Sequence, residues 1–362
     1  MQPVLALGDV ARIPFGYNRG GAWDLRLCHA RPNSRLVAIA RTRQVTVNSI
    51  ICGVDVSKNW LDAHVAAGPG ERGEACRFAN DADGIGALAA FCAGHGAELA
   101  VMEASGGLER QAYLLLWQLG QPCALANARH VRAFAEAMGF AEKTDRIDAM
   151  VIARFALAKG IVAEPPPGPQ SQRLQALVAR LGQVIGDLTV NKQRRASARN
   201  AEMGDSLDEL IAFLNRQKRS LTGEIASMID DDPLWARLDQ AIRSFKGLAG
   251  RSVGLLLAQL PQIGLVSNKA IAKLAGLAPI ADDSGARHGQ RHVRGGRAPV
   301  RSLLFLVADI ARRYDPDLGA FHAKLSAAGK PKMVVRTALA RKLLVRLNAR
   351  ARIARAEIIN AT

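Results

Sequence analysis

The chain has 362 residues, of which 49% are apolar and 22% charged. That is enough for two or three domains with their own cores and too apolar for a disordered chain. The formal net charge of +17 excludes an acidic binding protein and favours a polyanionic partner.

No stretch reaches the roughly 18 uninterrupted apolar residues of a membrane span, and no signal-peptide pattern opens the chain. No membrane partner is expected, and a cytoplasmic, nucleoid-associated place is. The five cysteines (Cys28, Cys52, Cys76, Cys92, Cys123) are scattered and form no C-x-x-C. They read as free thiols, several of them small core residues, and not as a zinc site. The charge is uneven: Ala286 to Arg355 holds 17 Lys and Arg against three Asp. A segment that basic points to nucleic acid; a solvated surface or a compositional bias toward arginine is the plainer alternative.

Residues 1–48 show Pro, Gly and Arg with little periodicity, and read as disordered or as a translated leader. From Ile50 the pattern changes. IICGVDV and WLDAHVAA, joined by the polar turn Ser57-Lys58-Asn59, predict two antiparallel strands at 50–56 and 60–67. A third strand follows at 73–79, then a helix at 83–93 and a strand at 98–104 (ELAVMEA). Gly106-Gly107 turns the chain into a helix over 108–119, PCALA forms a fifth strand, and helices follow at 127–138 and from Asp145. Three antiparallel strands followed by alternating helices and strands is the order of a ribonuclease-H-like domain, here 49–163.

EPPPGPQ, 164–170, is a stiff linker and a domain boundary. Beyond it Leu174, Leu177, Leu181, Val184, Leu188 and Asn191 repeat at heptad spacing. Leu207, Ile211, Leu214, Lys218, Leu221, Ile225 and Met228 do the same. A capping box, Ser206 with Glu209, is expected to start the second helix after a NAEMGDS connection. The whole, 164–245, reads as a coiled-coil hairpin, either packed within one chain or joining copies into a dimer or tetramer. The segment 246–362 reads as a mostly α, basic domain. Its apolar helix after Gly250, a short helix at 268–277, a Gly/Arg-rich loop, and helices near 299–313, 317–327 and 331–354 all follow from periodicity.

The chemistry gathers on four carboxylates. Asp55 lies within an apolar strand, where an ionised carboxylate is costly unless paired. Glu103 ends the fourth strand. Asp145 and Asp148 are spaced i, i+3, on one helix face. Together they would repel unless they bind cations, and oxygen-only ligands select Mg²⁺ or Mn²⁺. Paired ions would stabilise both oxygens of a phosphodiester displacement, with Lys143 and Arg146 on the phosphates. Taken singly, each acid has an ordinary structural reading. His288 and His292, at i, i+4, lack a third zinc ligand nearby.

GVDVSKNWLDAHV, VMEASGG and KTDRIDAMVIARF resemble the three blocks of the RuvC-like DEDD domain of bridge-RNA-guided insertion-sequence recombinases. LAGLAPIADDSGARHGQRHVRGGRAPVRSLLFLVA and GKPKMVVRTALARKLLVRLNA resemble their second, transposase domain. The resemblance runs in order from about Ile51 to about Ala351. It implies a transposase whose Mg²⁺-binding quartet is Asp55, Glu103, Asp145 and Asp148. It also implies Ser284 as the nucleophile that forms a covalent phosphoserine link, donor and target DNA as substrates, and an element-encoded guide RNA as partner. Serine and acids would form one composite site, from one subunit or two. Without the family, Ser284 is a turn serine distinguished only by Arg287, Arg291, Arg294 and Arg297 around it. One departure stands out: the P-G-I-G turn of the relatives is here Phe245-Lys246-Gly247-Leu248-Ala249-Gly250, without the proline.

Two other function classes compete. A junction-resolvase-like nuclease would use the carboxylates and metal-activated water, and would leave no covalent adduct. A nucleic-acid-binding protein with a decayed acidic site would bind without Mg²⁺ and cleave nothing. A sugar-kinase-like fold is set aside because a second phosphate loop is missing.

Overall fold

The computed structural model describes residues 49–66, 73–140, 145–285, 287–289 and 291–361. The expectations for 1–48 and for Lys143 lie outside them. The chain divides into two compact units, Met1–Pro166 and Pro167–Thr362.

The first unit is a three-layer α/β domain. Its five-stranded sheet has the order β3-β2-β1-β4-β5, with β1 at Ile51–Val56, β2 at Trp60–Ala66, β3 at Glu74–Ala79, β4 at Leu99–Glu103 and β5 at Cys123–Ala126. The first three strands are antiparallel, while β1, β4 and β5 run parallel. Ser57 locks the β1–β2 turn: its amide and hydroxyl donate to the Trp60 carbonyl, and its Oγ accepts from the Trp60 amide. Helices α1 (Ala82–Gly94) and α2 (Glu109–Gln118) cover one sheet face through Ile85, Leu88, Cys92, Ala112 and Leu116. Helices α3 (Ala128–Ala137) and α4 (Asp145–Lys159) cover the other through Val131, Val151, Ile152 and Phe155. Burial on both faces explains why β1 and β4 read as continuous apolar runs.

The second unit is helical. Its two long helices, α5 (Pro169–Ser197) and α6 (Ala201–Asp231), lie against each other, tied by Arg173–Glu224 and Arg195–Asp208 ion pairs. The connection is shorter than expected. Asn200 caps α6 by accepting from the Glu202 amide, so Ser206 and Glu209 lie inside the helix and form no cap. Asn191, the polar member of the first heptad run, is buried and donates to the Asp187 carbonyl of its own helix.

A third helix, α7 (Pro233–Arg243), was not expected. Asp232 caps it and Pro233 opens it, a start signal present in the sequence. Then come α8 (Gly250–Gln259), α9 (Asn268–Leu274), α10 (Ala298–Ala311), α11 (Pro316–Ala327) and α12 (Lys332–Ala361). The core is built around α12, whose Leu339, Leu343, Leu344 and Leu347 share one cluster with Ile242, Leu256 and Leu304. Gly247 carries φ +94, and a Cβ there would meet the Ile310 side chain at 2.9 Å. The turn before α8 is therefore set by packing against α10.

Candidate functional site: an acidic sheet face and a serine hairpin

Alternation along β1 separates its side chains cleanly. Cys52, Val54 and Val56 join the core under α1 and α2, while Ile51 joins the core under α3 and α4. Gly53 and Asp55 share the face of Ile51 by parity. On β4, Ala100 and Met102 go with α1 and α2. Leu99 and Val101 go with α3 and α4, and Glu103 follows them. Parallel pairing of Val54 with Met102 puts Asp55 and Glu103, one residue on, in the same row of neighbouring strands. Strand spacing is about 4.8 Å in such a sheet.

Helix α4 lies directly on this face at Gly53. A Cβ on Gly53 would stand 2.1 Å from the Ala149 carbonyl oxygen and 2.5 Å from the Ala153 nitrogen. No larger residue lets the helix approach so closely. Asp148 immediately precedes Ala149, and Asp145 is the first residue of α4. Asp55, Glu103 and Asp148 are each half-buried. The structure thus brings three of the four expected acids to one sheet face. The side chains of Asp145 and Arg146 lie outside what is described.

Among the described residues, no three His, Cys, Asp or Glu side chains stand close enough to hold a metal ion. Asp55, Glu103 and Asp148 therefore do not form a closed cage by themselves. Their chemistry still fits a hard divalent cation: every donor is a carboxylate oxygen.

A fifth acid went unnoticed in the sequence. Asp62 is the antiparallel partner of Asp55 and Arg77 is the partner of Asp62, so all three project from the same face. Arg77 donates through Nε and Nη2 to the two Asp62 oxygens at 2.8 and 3.0 Å. The row therefore reads Arg77, Asp62, Asp55, Glu103 across four strands. The signal was the turn: closing a hairpin across Ser57–Trp60 pairs residue 55 with residue 62.

Beyond Glu103, the carboxylate of Glu109 accepts from the Ser105 amide and hydroxyl and from the Gly107 amide. Burial pushes this carboxyl upward, but hydrogen bonds from Gly107, Ser105 and its own amide outweigh it and hold it below the ordinary value. Gly106 and Gly107 have φ of +78 and +117, so they are needed for a strand-to-helix turn, as expected.

In the second unit, the Gly/Arg-rich loop is a pair of short β ladders. Here β6 (Pro279–Ile280) pairs with β9 (His292–Val293), and β7 (Asp283–Ser284) pairs with β8 (Arg287–His288). Ser284 is exposed, opposite Arg287 in register, and followed by Gly285 at φ +55. It sits at the tip of a tight hairpin. The Gly289 amide donates to the Asp282 carbonyl and closes the hairpin base.

The expected cations divide here. Arg294 is exposed. Arg291 lies 3.7 Å from Asp283. Arg297 is half-buried and donates to Gln262 Oε1 at 2.7 Å, so its first role is to hold two loops together. The side chains of Arg287 and His288 lie outside what is described. Among the described residues no helix is long and apolar enough to cross a membrane.

Comparison with known proteins bears on both units. A DEDD transposase model of the IS110 group matches residues 52–198. The Transposase IS116/IS110/IS902 family model matches residues 239–323. The chain is 25% identical over 303 residues to the pilin gene-inverting protein of Moraxella bovis, covering 81% of this chain and 92% of the relative. Its counterpart in Moraxella lacunata matches with the same identity and coverage. An insertion element IS110 protein of Streptomyces coelicolor is 28% identical over 139 residues, 38% of this chain and 33% of the relative. Among solved structures, Thermus thermophilus RuvC in complex with a Holliday junction substrate aligns at 16% identity and a TM-score of 0.24. The alignment covers 32% of this chain and 98% of RuvC. Two models of the same group, matched in order along the two halves, place the protein: this chain belongs to the IS110 family of DEDD transposases, DNA-recombining enzymes.

Proposed function

We propose that this transposase exchanges DNA strands through a covalent phosphoserine intermediate formed at Ser284, with the acidic residues of a first unit, of the same or another subunit, binding the metal ions that the reaction uses. The observation that carries this reading is the placement of Ser284, exposed at a two-residue hairpin tip and in register with Arg287. A structural turn serine is exposed as well, but it has no need of an arginine as its paired neighbour.

In the proposed step, Ser284 Oγ attacks phosphorus and its proton leaves to solvent. One P–O bond to a sugar oxygen breaks as the Oγ–P bond forms, and the departing sugar oxygen takes up a proton. Rejoining is the reverse: a sugar hydroxyl attacks the phosphoserine and restores the serine. No water and no nucleotide triphosphate are consumed, because the ester bond is conserved.

Asp55, Glu103, Asp145 and Asp148 would hold Mg²⁺ or Mn²⁺, which when bound neutralises charge on the phosphate oxygens. Arg287, Arg291 and Arg294 would contact phosphates, as would Lys143 and Arg146. Arg297 contributes by holding the loop that carries them.

A structured guide RNA is the proposed second nucleic acid, with base pairing supplying specificity and the protein reading backbone. The low aromatic content of 5% supports backbone contacts over stacking. Exposed Leu210 and Phe213 on α6 support pairing of the α5–α6 hairpin with a second copy, as a coiled coil.

The test uses purified protein, Mg²⁺, the RNA encoded beside the gene, and labelled donor and target DNA. A denaturation-resistant, RNA-dependent protein–DNA adduct that Ser284→Ala and Asp148→Asn both abolish is expected. The acids all belong to the first unit and the serine to the second, which makes a nuclease that uses the acids and water the second reading. Nicked DNA that survives Ser284→Ala but not Asp148→Asn would establish that nuclease instead.

A further inference from the structure

Beside the serine hairpin, the second unit opens a groove of about 770 Å³. Its walls are apolar: Leu277, Val293, Phe321, Val334 and Val345. It also carries Arg291, Arg341, Lys342 and Arg346, with His292 and Thr337 as its other polar side chains, and among the described residues no Asp or Glu lines it. Val334 and Met333 on α12 are more than half exposed, which leaves an apolar surface open to whatever the groove accepts.

The rim cations differ in what already holds them. Arg346 pairs with Asp315 at 2.8 Å and lies over the Phe245 ring. Lys342 covers Phe321, its Nζ 4.4 Å from the ring centroid. Arg341 has no acidic partner among the described residues, and Arg291 stands loosely, 3.7 Å from Asp283. Two cations at the rim are therefore available to an anion.

The groove and the serine hairpin are neighbours along the chain, on two consecutive β ladders. Pro279 and Val293, which line the groove, are paired partners in β6–β9. The chain runs on from Ile280 into Asp283–Ser284, and Arg291, which lines the groove, lies 3.7 Å from Asp283 of the hairpin.

We infer that this groove holds one unstacked nucleotide of a single strand, its base against the apolar walls and its phosphate on Arg341 and Arg291. An apolar slot whose lysine and arginine lining has no acid among the described residues matches a flat base carrying a phosphate, and its volume falls in the usual range for small-ligand sites. Strand exchange requires base pairs to open near the attacked phosphate. A pocket that receives an opened base offsets the few kcal/mol of unstacking that opening costs. The inference rests on the strand-exchange reading above and names the substrate state that its site requires.

The test measures binding of the full-length protein to a short single-stranded oligodeoxynucleotide carrying one 2-aminopurine, and to the matching duplex. Binding is expected to change the 2-aminopurine fluorescence. Arg341→Ala and Val334→Asp are each expected to weaken single-strand binding about 10-fold, the loss of one base contact, and to leave duplex binding unchanged. Val334 is exposed enough for the Asp variant to fold, which thermal melting verifies, and Val334→Ile should restore wild-type affinity. Unchanged single-strand affinity in both variants overturns the proposal. So does a fluorescent fatty acid that the groove binds and the oligonucleotide does not displace. Adduct formation by the same preparations separates the two readings. A normal adduct with unaltered oligonucleotide affinity sinks the groove alone. Absence of any wild-type adduct sinks the serine step and leaves the fluorescence result standing.

Discussion

Asp55 and Asp62 stand directly opposite each other across β1 and β2, two carboxylates on one face of the sheet. Like charges so placed are destabilising, and Arg77 on the far side of Asp62 answers the conflict by taking both Asp62 oxygens. The Asp62 side chain is 12% exposed and that of Arg77 49%, so the pair is worth more than a surface bridge and less than a buried one.

Arg77→Ala should therefore destabilise the first unit by about 1–3 kcal/mol, the cost of leaving a mostly buried carboxylate without its partner. Asp62→Ala should cost less, because it removes the stranded charge along with the partner. Urea melts of the two single variants and the double variant, read as a double-mutant cycle, would give a coupling energy. Additive effects would show that the ion pair does not stabilise the fold.

Gly53 makes a second expectation sharp. Any Cβ there would overlap the backbone of α4 at Ala149 and Ala153, and backbone cannot rotate away as a side chain can. Gly53→Ala should cost about 1–3 kcal/mol through forced displacement of the helix, and Gly53→Val more. Because α4 carries Asp145 and Asp148, the same substitution should lower strand cleavage in whatever fraction remains folded. A Gly53→Ala protein with wild-type melting temperature would refute the close packing.

Much of the first unit was legible because its periodicities are strong. The strand from Ile51 and the helix from Asp145 fall where an unbroken apolar run and 3.6-residue spacing put them. Asp62 was invisible for a different reason: its role depends on hairpin register, which side-chain chemistry alone does not announce. The ladders β6 to β9 are two residues each, too short to leave any period, and their hydrogen bonds follow from turns at Gly285 and nearby glycines. In α6, the Ser206–Glu209 pair looked like a cap because capping is local, whereas Asn200, six residues earlier, had already begun the helix. In the sequence the four acids could be assigned only to their elements. The face shared by Asp55, Glu103 and Asp148 came from the parallel register of β1 and β4 and from the contact at Gly53.

His95 sets up a pH dependence. Its Nδ1 faces the Phe91 carbonyl at 2.8 Å and its Nε2 faces Glu74 at 2.9 Å, so both ring nitrogens meet acceptors and only the imidazolium donates to both. The Phe91 carbonyl first, and then Glu74, raise its pKa above the ordinary 6.5. A raised folded pKa contributes stability that is full below 6.5 and fades as pH rises through the folded value. Histidine titration by NMR should place His95 above an exposed histidine, and Glu74→Gln should bring it part of the way down. A His95 midpoint at or below the ordinary value would rule out the bridge between β3 and α1.

Asn348 is fully buried on α12 and holds the loop before α9. Its Oδ1 accepts from the Gly264 amide, and its Nδ2 donates to the Val266 carbonyl and to Asn268. Gly264 has φ +82 and no room for a Cβ against Ala351, so the loop cannot shift to find other partners. Asn348→Leu keeps the volume and strands the buried Gly264 amide, while the Val266 carbonyl keeps its bond from Arg352 and Asn268 is exposed, which should cost about 1–3 kcal/mol. Thermal melting reads this directly; a variant as stable as wild type would mean that water replaces the amide without loss.

Salt dependence separates arginines that bind nucleic acid from those that build the fold. Each phosphate contact that is lost should reduce the slope of log affinity against log salt by about 0.9 for duplex DNA. Arg294 is exposed on the loop beside β9, and Arg294→Ala should lower that slope by about one contact while leaving the melting temperature unchanged. Arg355 is the opposite case: its guanidinium donates to the Ile263 and Pro261 carbonyls, and burial lowers its pKa. Arg355→Ala should lower the melting temperature and leave the slope as it was. Arg297, bonded to Gln262, should behave like Arg355. If instead Arg297→Ala changes the slope by a full contact at unchanged stability, the guanidinium leaves Gln262 for a phosphate when DNA binds.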